Sequence, residues 1–335
     1  MPRRLCYIFS LWVAFFSGSA FLEAEDTVYY LSGESGRVFQ RKGLIKDYTG
    51  RQLILEPNII IPTERVVRIE TTWSAKQQTA DTALENRKFS EALALYYNAL
   101  EKEQRKWVRR KIIAQIVWCH RALGQTEKAS SGFQALVQSD PTTQYFDCIP
   151  LAWKSSVRMP EQAALAWLDR NKMPEMVLVG ASHLLLTKHH PQALAKLQQL
   201  TLSRDLRVAH LAQAQIWRSL IVTASDKQVD SWSETIERMP QAVRAGPYFV
   251  LGQVLSHKHK SEQALLALMR IPILYPRQRW LASESLLESG RLLEKSNQSE
   301  DALRLYRELV RDYPETAAAP SAREILNNRK THNSK

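Results

Sequence analysis

Glycine is scarce in this chain, 11 among 335 residues. An all-β protein of this length needs more turn glycines, so the scarcity favours helix. Cysteine is scarcer, three in all, and Cys6 lies inside an N-terminal apolar run without the small residues of a lipid-attachment site. Missing too are the short motifs that carry common chemistries. There is no glycine-rich phosphate loop, no G-x-S-x-G elbow and no H-E-x-x-H pair. Nor is there a block of like charge: the formal balance is +12, but the basic residues are spread along the chain. Spread charge reads first as solubility and second as a preference for acidic partners or anionic polymers.

The composition is otherwise that of a folded chain, with 44% hydrophobic and 24% charged residues. The start reads as an export signal. Arg3 and Arg4 precede an apolar run from Leu5 to Phe16, then the small residues Ser17 to Ala20. Gly18 and Ala20 have the spacing of a signal peptidase site, and Leu22 and Ala24 offer a second. Residues 1–24 are therefore expected to be a signal peptide, cleaved after Ala20 or Ala24. The rival is an uncleaved anchor, which the polar Ser10 and the small-residue tail disfavour. Export allows a Cys119–Cys148 bridge, yet the helix register sets the two at different heights on neighbouring helices, which favours two buried free thiols.

From residue 25 to 73 the apolar period is two. Val28 and Tyr30, Leu53 and Leu55, the run Ile59 to Ile61, and Val66, Val67 and Ile69 read as about five short strands, with a helical turn from Pro62 to Arg65. So small a unit must close into a barrel or lean on a neighbour. The residues Gly43, Ile45, Asp47, Gly50, Leu53, Leu55, Ile61, Pro62 and Val66 give it a pattern that resembles SH3-like and Sm-like barrels. An Sm-like resemblance implies RNA, which export and the lack of an aromatic-plus-basic signature oppose. The segment reads as a docking module or an N-terminal cap on the helices that begin near Ser74.

From residue 74 to 314 the period becomes helical. Ala92, Tyr96 and Ala99 share one helix face, and the unit recurs: Ala129 with Phe133 and Pro141, Ala264 with Leu268 and Pro276, Ala302 with Tyr306 and Pro314. Pro272 is a candidate early stop for the third of these. Weaker copies start at Ala163, Ala193 and Val229. The steps from 92 to 302 are 37, 34, 30, 36, 35 and 38 residues. A small residue stands twelve upstream in four copies, at Ala80, Ala181, Gly252 and Gly290. The pattern resembles tetratricopeptide (TPR) proteins, whose period is about 34. It predicts a mainly α fold: a TPR-like solenoid of about seven helical hairpins, preceded by the small all-β module. The resemblance is strong in the first two and last two repeats and degenerate in the centre. Residues 315–335 read as a capping helix, from Pro320 to Asn327, and a polar tail from Lys330.

The resemblance implies a non-catalytic scaffold that binds proteins in a concave groove. No cofactor or metal is implied. His257-x-His259 and His189-His190 fall in turns, where solvated side chains are the simpler reading than metal ligands. The candidate contact patch is Arg105, Trp107, Arg109, Arg110 and Lys111, opening the first helix of the second repeat. In TPR families basic residues on first helices clamp carboxylates, but the paired Asn and Lys spacing of that clamp is missing. The alternative is a solvated basic helix start with Trp107 in the core. The cadence from Tyr313 to Glu324 resembles exported bacterial TPR proteins of envelope assembly. The expected partners are envelope proteins, with anionic surfaces or polymers second and no nucleic acid. A membrane enters only if the N-terminal segment stays uncleaved. The alternatives are an accessory or degenerate enzyme acting on cell-wall polymer, which no nucleophile or carboxylate pair supports, and a nucleic-acid-binding protein, which export opposes.

Overall fold

The structure is a computed structural model that describes residues 26–33, 36–154, 159–170 and 172–332. The expected signal peptide with its cleavage sites, and the last residues of the polar tail, lie outside the described residues.

Six strands follow one another: β1 (Asp26–Leu31), β2 (Val38–Gly43), β3 (Ile45–Tyr48), β4 (Gln52–Leu55), β5 (Ile59–Pro62) and, after a 3-10 turn at Thr63–Arg65, β6 (Val66–Glu70). They form two antiparallel sheets, ordered β2-β1-β6 and β3-β4-β5. Alternation turns Val28, Ile45, Leu53, Leu55 and Ile61 inward. The buried Asp26 carboxylate accepts from the Ile45 amide at 2.9 Å and links the sheets. This small core does not stand alone. It is continuous with Ala80, Tyr96, Trp107 and Ile112 of the first helices, so the module gains its apolar burial by leaning on them.

Among the described residues there are fourteen α-helices. Twelve of them form six hairpins: α1 (Ala75–Glu85) with α2 (Phe89–Lys102), α3 (Lys106–Ala122) with α4 (Thr126–Ser139), α6 (Pro174–Leu184) with α7 (His190–Leu200), α8 (Leu206–Arg218) with α9 (Asp226–Arg238), α10 (Ala245–His257) with α11 (Ser261–Leu274), and α12 (Arg279–Lys295) with α13 (Ser299–Asp312). Helix α5 (Glu161–Leu168) stands without a first partner, and α14 (Ala318–His332) closes the stack. The cap is thus longer than the Pro320–Asn327 span read from the sequence. Pro272 lies inside α11 and does not stop it.

The pattern residues are where the hairpins close. Ala92, Ala129, Ala193, Ala264 and Ala302 are fully buried at helix crossings. A Cβ at Gly252 would fall 2.5 Å from Leu268 Cγ, and one at Gly290 would fall 2.3 Å from the Tyr306 ring. Gly252 and Gly290 on the first helices are therefore the sockets for the large residues four positions after the alanine on the second.

Among the described residues the expected seventh hairpin, the one built on Ala163, has no first helix. In its place are a 3-10 turn at Phe146–Cys148 and an extended stretch to Lys154. Pro150 explains the difference: it lacks an amide hydrogen and excludes the residue before it from helix. Ala163 itself is only half-buried, and its neighbour Ala164 takes the crossing, with a Cβ at Gly180 falling 2.6 Å from the Ala164 carbonyl oxygen.

Candidate binding chamber

The extended stretch runs across the first helices α6, α8, α10 and α12. Ala152 donates its amide to Ser182 Oγ on α6 at 3.1 Å and accepts from Gln215 Nε2 on α8 at 3.1 Å. The Trp153 ring lies so close to Gly246 on α10 that a Cβ there would be 2.0 Å away. Lys154 ends the run between Glu284 at 2.5 Å and Glu288 at 3.1 Å on α12. Ile149 to Trp153 are all buried. Between Leu151, Trp153, Val243 and Gly246 a cavity of about 20 Å³ remains, room for little more than one water. The central groove is thus filled by the chain itself.

The solenoid then returns on itself. Arg87, in the turn between α1 and α2, donates to the Arg311 carbonyl at 2.7 Å and pairs with Asp312 at 3.5 Å, at the end of α13. Arg121 on α3 donates to Gln278 Oε1 at 2.7 Å, and Gln278 donates to the Asp147 carbonyl at 2.8 Å. Arg277 donates to Gln115 Oε1 at 2.8 Å. Arg279 ties the ends further, pairing with Glu315 at 2.5 Å and lying over the Phe89 and Tyr313 rings. Between the joined ends is a cavity of about 1110 Å³. Its lining includes the α3 face formed by Lys111, Gln115 and Trp118, spaced i, i+4, i+7, and, from the far end of the chain, Arg277, Arg279 and Trp280. The residues before α5 complete it with Pro150, Leu151 and Trp153.

Of the contact patch read from the sequence, one residue reaches this chamber. Lys111 lines it, with Nζ 3.8 Å from the centre of the Trp73 ring. Arg105 is held by Glu103, Thr71 and the Thr72 carbonyl. Arg109 caps the end of α2, donating to the Leu100 and Glu103 carbonyls. Arg110 is buried and binds the Asp47 carboxylate and the Tyr48 carbonyl of β3. Trp107 is 3% exposed and meets Tyr48 and Trp73 edge-on. Arg109 secures only the end of α2, whereas Arg105, Trp107 and Arg110 fasten the β-module and the segment after it to the helices. Gly50 joins them: its amide donates to Asp140 Oδ2 at 2.9 Å, and a Cβ there would sit 1.7 Å from the Thr142 carbonyl oxygen. Sequence reasoning missed Trp118, Arg121, Arg277 and Trp280. The Lys111–Gln115–Trp118 spacing was legible; the lining residues from the far end of the chain had no sequence signal.

The electrostatics of the chamber are those of crowded cations. Lys111 is held below the ordinary lysine range by burial, with Asp81 opposing and Arg277 adding to the shift. Arg121 is lowered to about 10 by burial, and repulsion from Arg277 acts in the same direction. Burial raises the nearby Asp147 carboxyl, against the pull of Arg277 and Arg121. Cys119 and Cys148 are free, and burial pushes the Cys119 thiol up to about 12 and Cys148 higher, away from the thiolate a nucleophile needs. Cys148 lies in the 3-10 turn, not on a helix as read from the sequence.

His259 sits at φ 59° in the turn between α10 and α11, and His189 bonds Glu161 at 2.9 Å. Among the described residues no group of His, Cys, Asp and Glu is placed to hold a metal, and no helix is long and apolar enough to cross a membrane.

A tetratricopeptide repeat family model matches residues 284–316, the last turns of α12 with α13 and the turn after it. With the six hairpins, this makes the chain a TPR-like helical-repeat protein, a class that suggests a protein-interaction scaffold. Among solved structures the chain is similar to the assembly chaperone of RpL4 (Acl4), residues 1–338, with 16% identity, 78% of this chain and 99% of that chain covered, and a TM-score of 0.31. No curated protein matches the chain.

Proposed function

We propose that this protein is a non-catalytic interaction scaffold of the bacterial cell envelope that seats a segment of a partner protein in the chamber between its first and last repeats. The observation that carries the reading is the division of space inside the solenoid. The central groove is filled by Ile149–Trp153, whereas the chamber keeps about 1110 Å³. That exceeds the roughly 300–1,000 Å³ of small-molecule pockets and suits a length of polypeptide. Its walls pair apolar rings with hydrogen-bonding side chains, as protein-binding surfaces do. The envelope setting is supported by the Arg3–Arg4 and Leu5–Ala20 pattern and by the cadence from Tyr313 to Glu324.

Photo-crosslinking in intact cells tests the binding site. A benzophenone side chain at Trp280, in the chamber, is expected to give discrete protein adducts. The same group at Leu266, exposed on α11, is expected to give none. Equal adducts from both positions would remove the chamber from the account. The envelope setting is tested separately by fractionation and the mature N-terminus, expected at Phe21 or Glu25. An intact Met1 in the cytoplasm would refute export.

A further inference from the structure

We infer that the segment entering the chamber is acidic and that its carboxylates are bound by Lys111, Arg121 and Arg277. This deepens the reading of the chamber as the partner's seat and rests on it. Three observations converge. First, among the described residues none of these cations has a carboxylate in ion-pair range. Each is turned to a ring or a neutral acceptor: Lys111 to Trp73, Arg121 to Trp118, Gln278 and the Asp147 carbonyl, Arg277 to Trp118 and Gln115. The neighbouring Arg87 and Arg279, by contrast, are paired with Asp312 and Glu315. Second, the three are crowded. Arg121 and Arg277 both lie against the Trp118 ring, at 4.5 and 5.1 Å from its centre, and Arg277 repels Lys111 as well. Like charges gathered in a half-buried cavity are costly alone and gain most from an anion. Third, the cluster exists only because the ends of the solenoid meet, so the ring closure assembles it.

The carboxylates on the chamber side do not cancel the cluster. The lining holds Arg87, Lys111, Arg121, Arg277 and Arg279 against Asp81, Glu85 and Glu315; Glu315 is paired with Arg279, and Asp81, which attracts Lys111, also accepts from the Tyr96 hydroxyl, so cations remain in excess. Guanidinium groups bind carboxylates through two parallel hydrogen bonds, and the exposed Arg277 keeps donor edges beyond its single bond to Gln115. Trp280 offers an apolar face for side chains between the acidic ones.

The test uses the full chain and a fluorescein-labelled peptide of alternating glutamate and alanine with one central phenylalanine, against a glutamine version and a short single-stranded DNA. Fluorescence anisotropy is expected to show binding of the glutamate peptide that weakens with salt and falls on the order of tenfold or more in the Lys111→Gln/Arg277→Gln double variant. Both side chains are at the chamber surface, and unchanged circular dichroism and melting confirm that the variant is folded. Equal binding of the glutamine peptide, or binding unaffected by the double variant, would overturn the inference. So would tighter binding of the DNA. Protein adducts at Trp280 without any binding of the glutamate peptide would leave the chamber as the seat and refute its acidic selectivity. Loss of both would refute the two readings together.

Discussion

The outer and central repeats of this solenoid are built to different rules. In four hairpins, the first two and the last two, the helices are joined through one residue in the left-handed region: Arg87, Gly124, His259 and Asn297, with φ between 59° and 68°. The residue after each leads straight into the second helix. The central hairpins lack this turn. Helices α8 and α9 are separated by Trp217 and Trp232, stacked at 5.0 Å, where the outer repeats bring small residues together. At α5 the first helix is gone altogether. The outer repeats devote their sequence to close contact between helices, and the centre devotes it to filling the groove. Only the outer pairs then remain to form an open cavity, where they meet.

The largest expected effect tests whether the crossing segment is core or lodger. Trp153→Ala should cost about 3–5 kcal/mol in urea unfolding, since its ring is packed against Gly246 with 5% exposure. A loss below about 1 kcal/mol would mean that the segment merely rests in the groove and that the centre is no different in kind from the ends. Next is a like-for-like substitution at one pattern position. Ala302→Val, in a fully buried crossing, should cost about 1–3 kcal/mol by overpacking. Ala163→Val should cost about 0.5 kcal/mol, the helix-propensity difference, because Ala163 is half-buried. Equal losses, measured by thermal melting, would erase the distinction.

The left-handed turns sharpen the comparison on the favourable side. His259→Gly relieves a backbone conformation that costs an L-residue about 1–2 kcal/mol, less the entropy of glycine, for a net gain of about 0.5–1 kcal/mol. Arg87→Gly gives the same relief but removes the bonds to Arg311 and Asp312, so its gain should be smaller. A larger gain from Arg87→Gly would show that the contact between first and last repeats is not stabilising. A side chain at positive φ is better tolerated where it makes contacts that glycine cannot, and at Arg87 those contacts close the ring.

This contrast also marks what was legible in the sequence. The second helices were, because one alanine and one large residue four positions later suffice to place each of them. The first helix of the third repeat was not. Leu151 stands where the other repeats carry a small residue, but Val117 and Trp217 occupy the same place in repeats that do form. The decisive signal was Pro150, which the period of the alanines conceals. The basic patch after Glu103 was legible as a patch and not as a fastening, because its partners, Asp47 and Tyr48, belong to the β-module and are reached only through the fold. The chamber escaped for the same reason: part of its wall, Pro276 to Trp280 and Glu315 to Ala317, comes from the far end of the chain.

The smallest expected effect concerns the clamp that launches the crossing segment. Asp205 caps α8 and pairs with Arg207 at 2.6 Å, while Arg207 donates to the Pro141, Thr142 and Thr143 carbonyls and lies over Phe146. Burial alone would raise the Asp205 carboxyl, but the Arg207 hydrogen bonds and charge outweigh it and hold it below the ordinary range. A carboxyl depressed in the folded state adds stability that is present above the unfolded pKa, about 3.9, and lost as pH falls through the folded value. Asp205→Asn keeps an acceptor at the cap and removes only the charge. It should therefore cost about 1 kcal/mol or less at neutral pH, and the gap from wild type should close below about pH 4. The like-charged Glu175, raised by burial and then by Asp205, is relieved in the variant and trims the gap on the neutral side. No gap at neutral pH would place the value of Asp205 in its capping bond alone, which asparagine keeps. The start of the crossing segment would then be held by Arg207 and the carbonyls, with no electrostatic share.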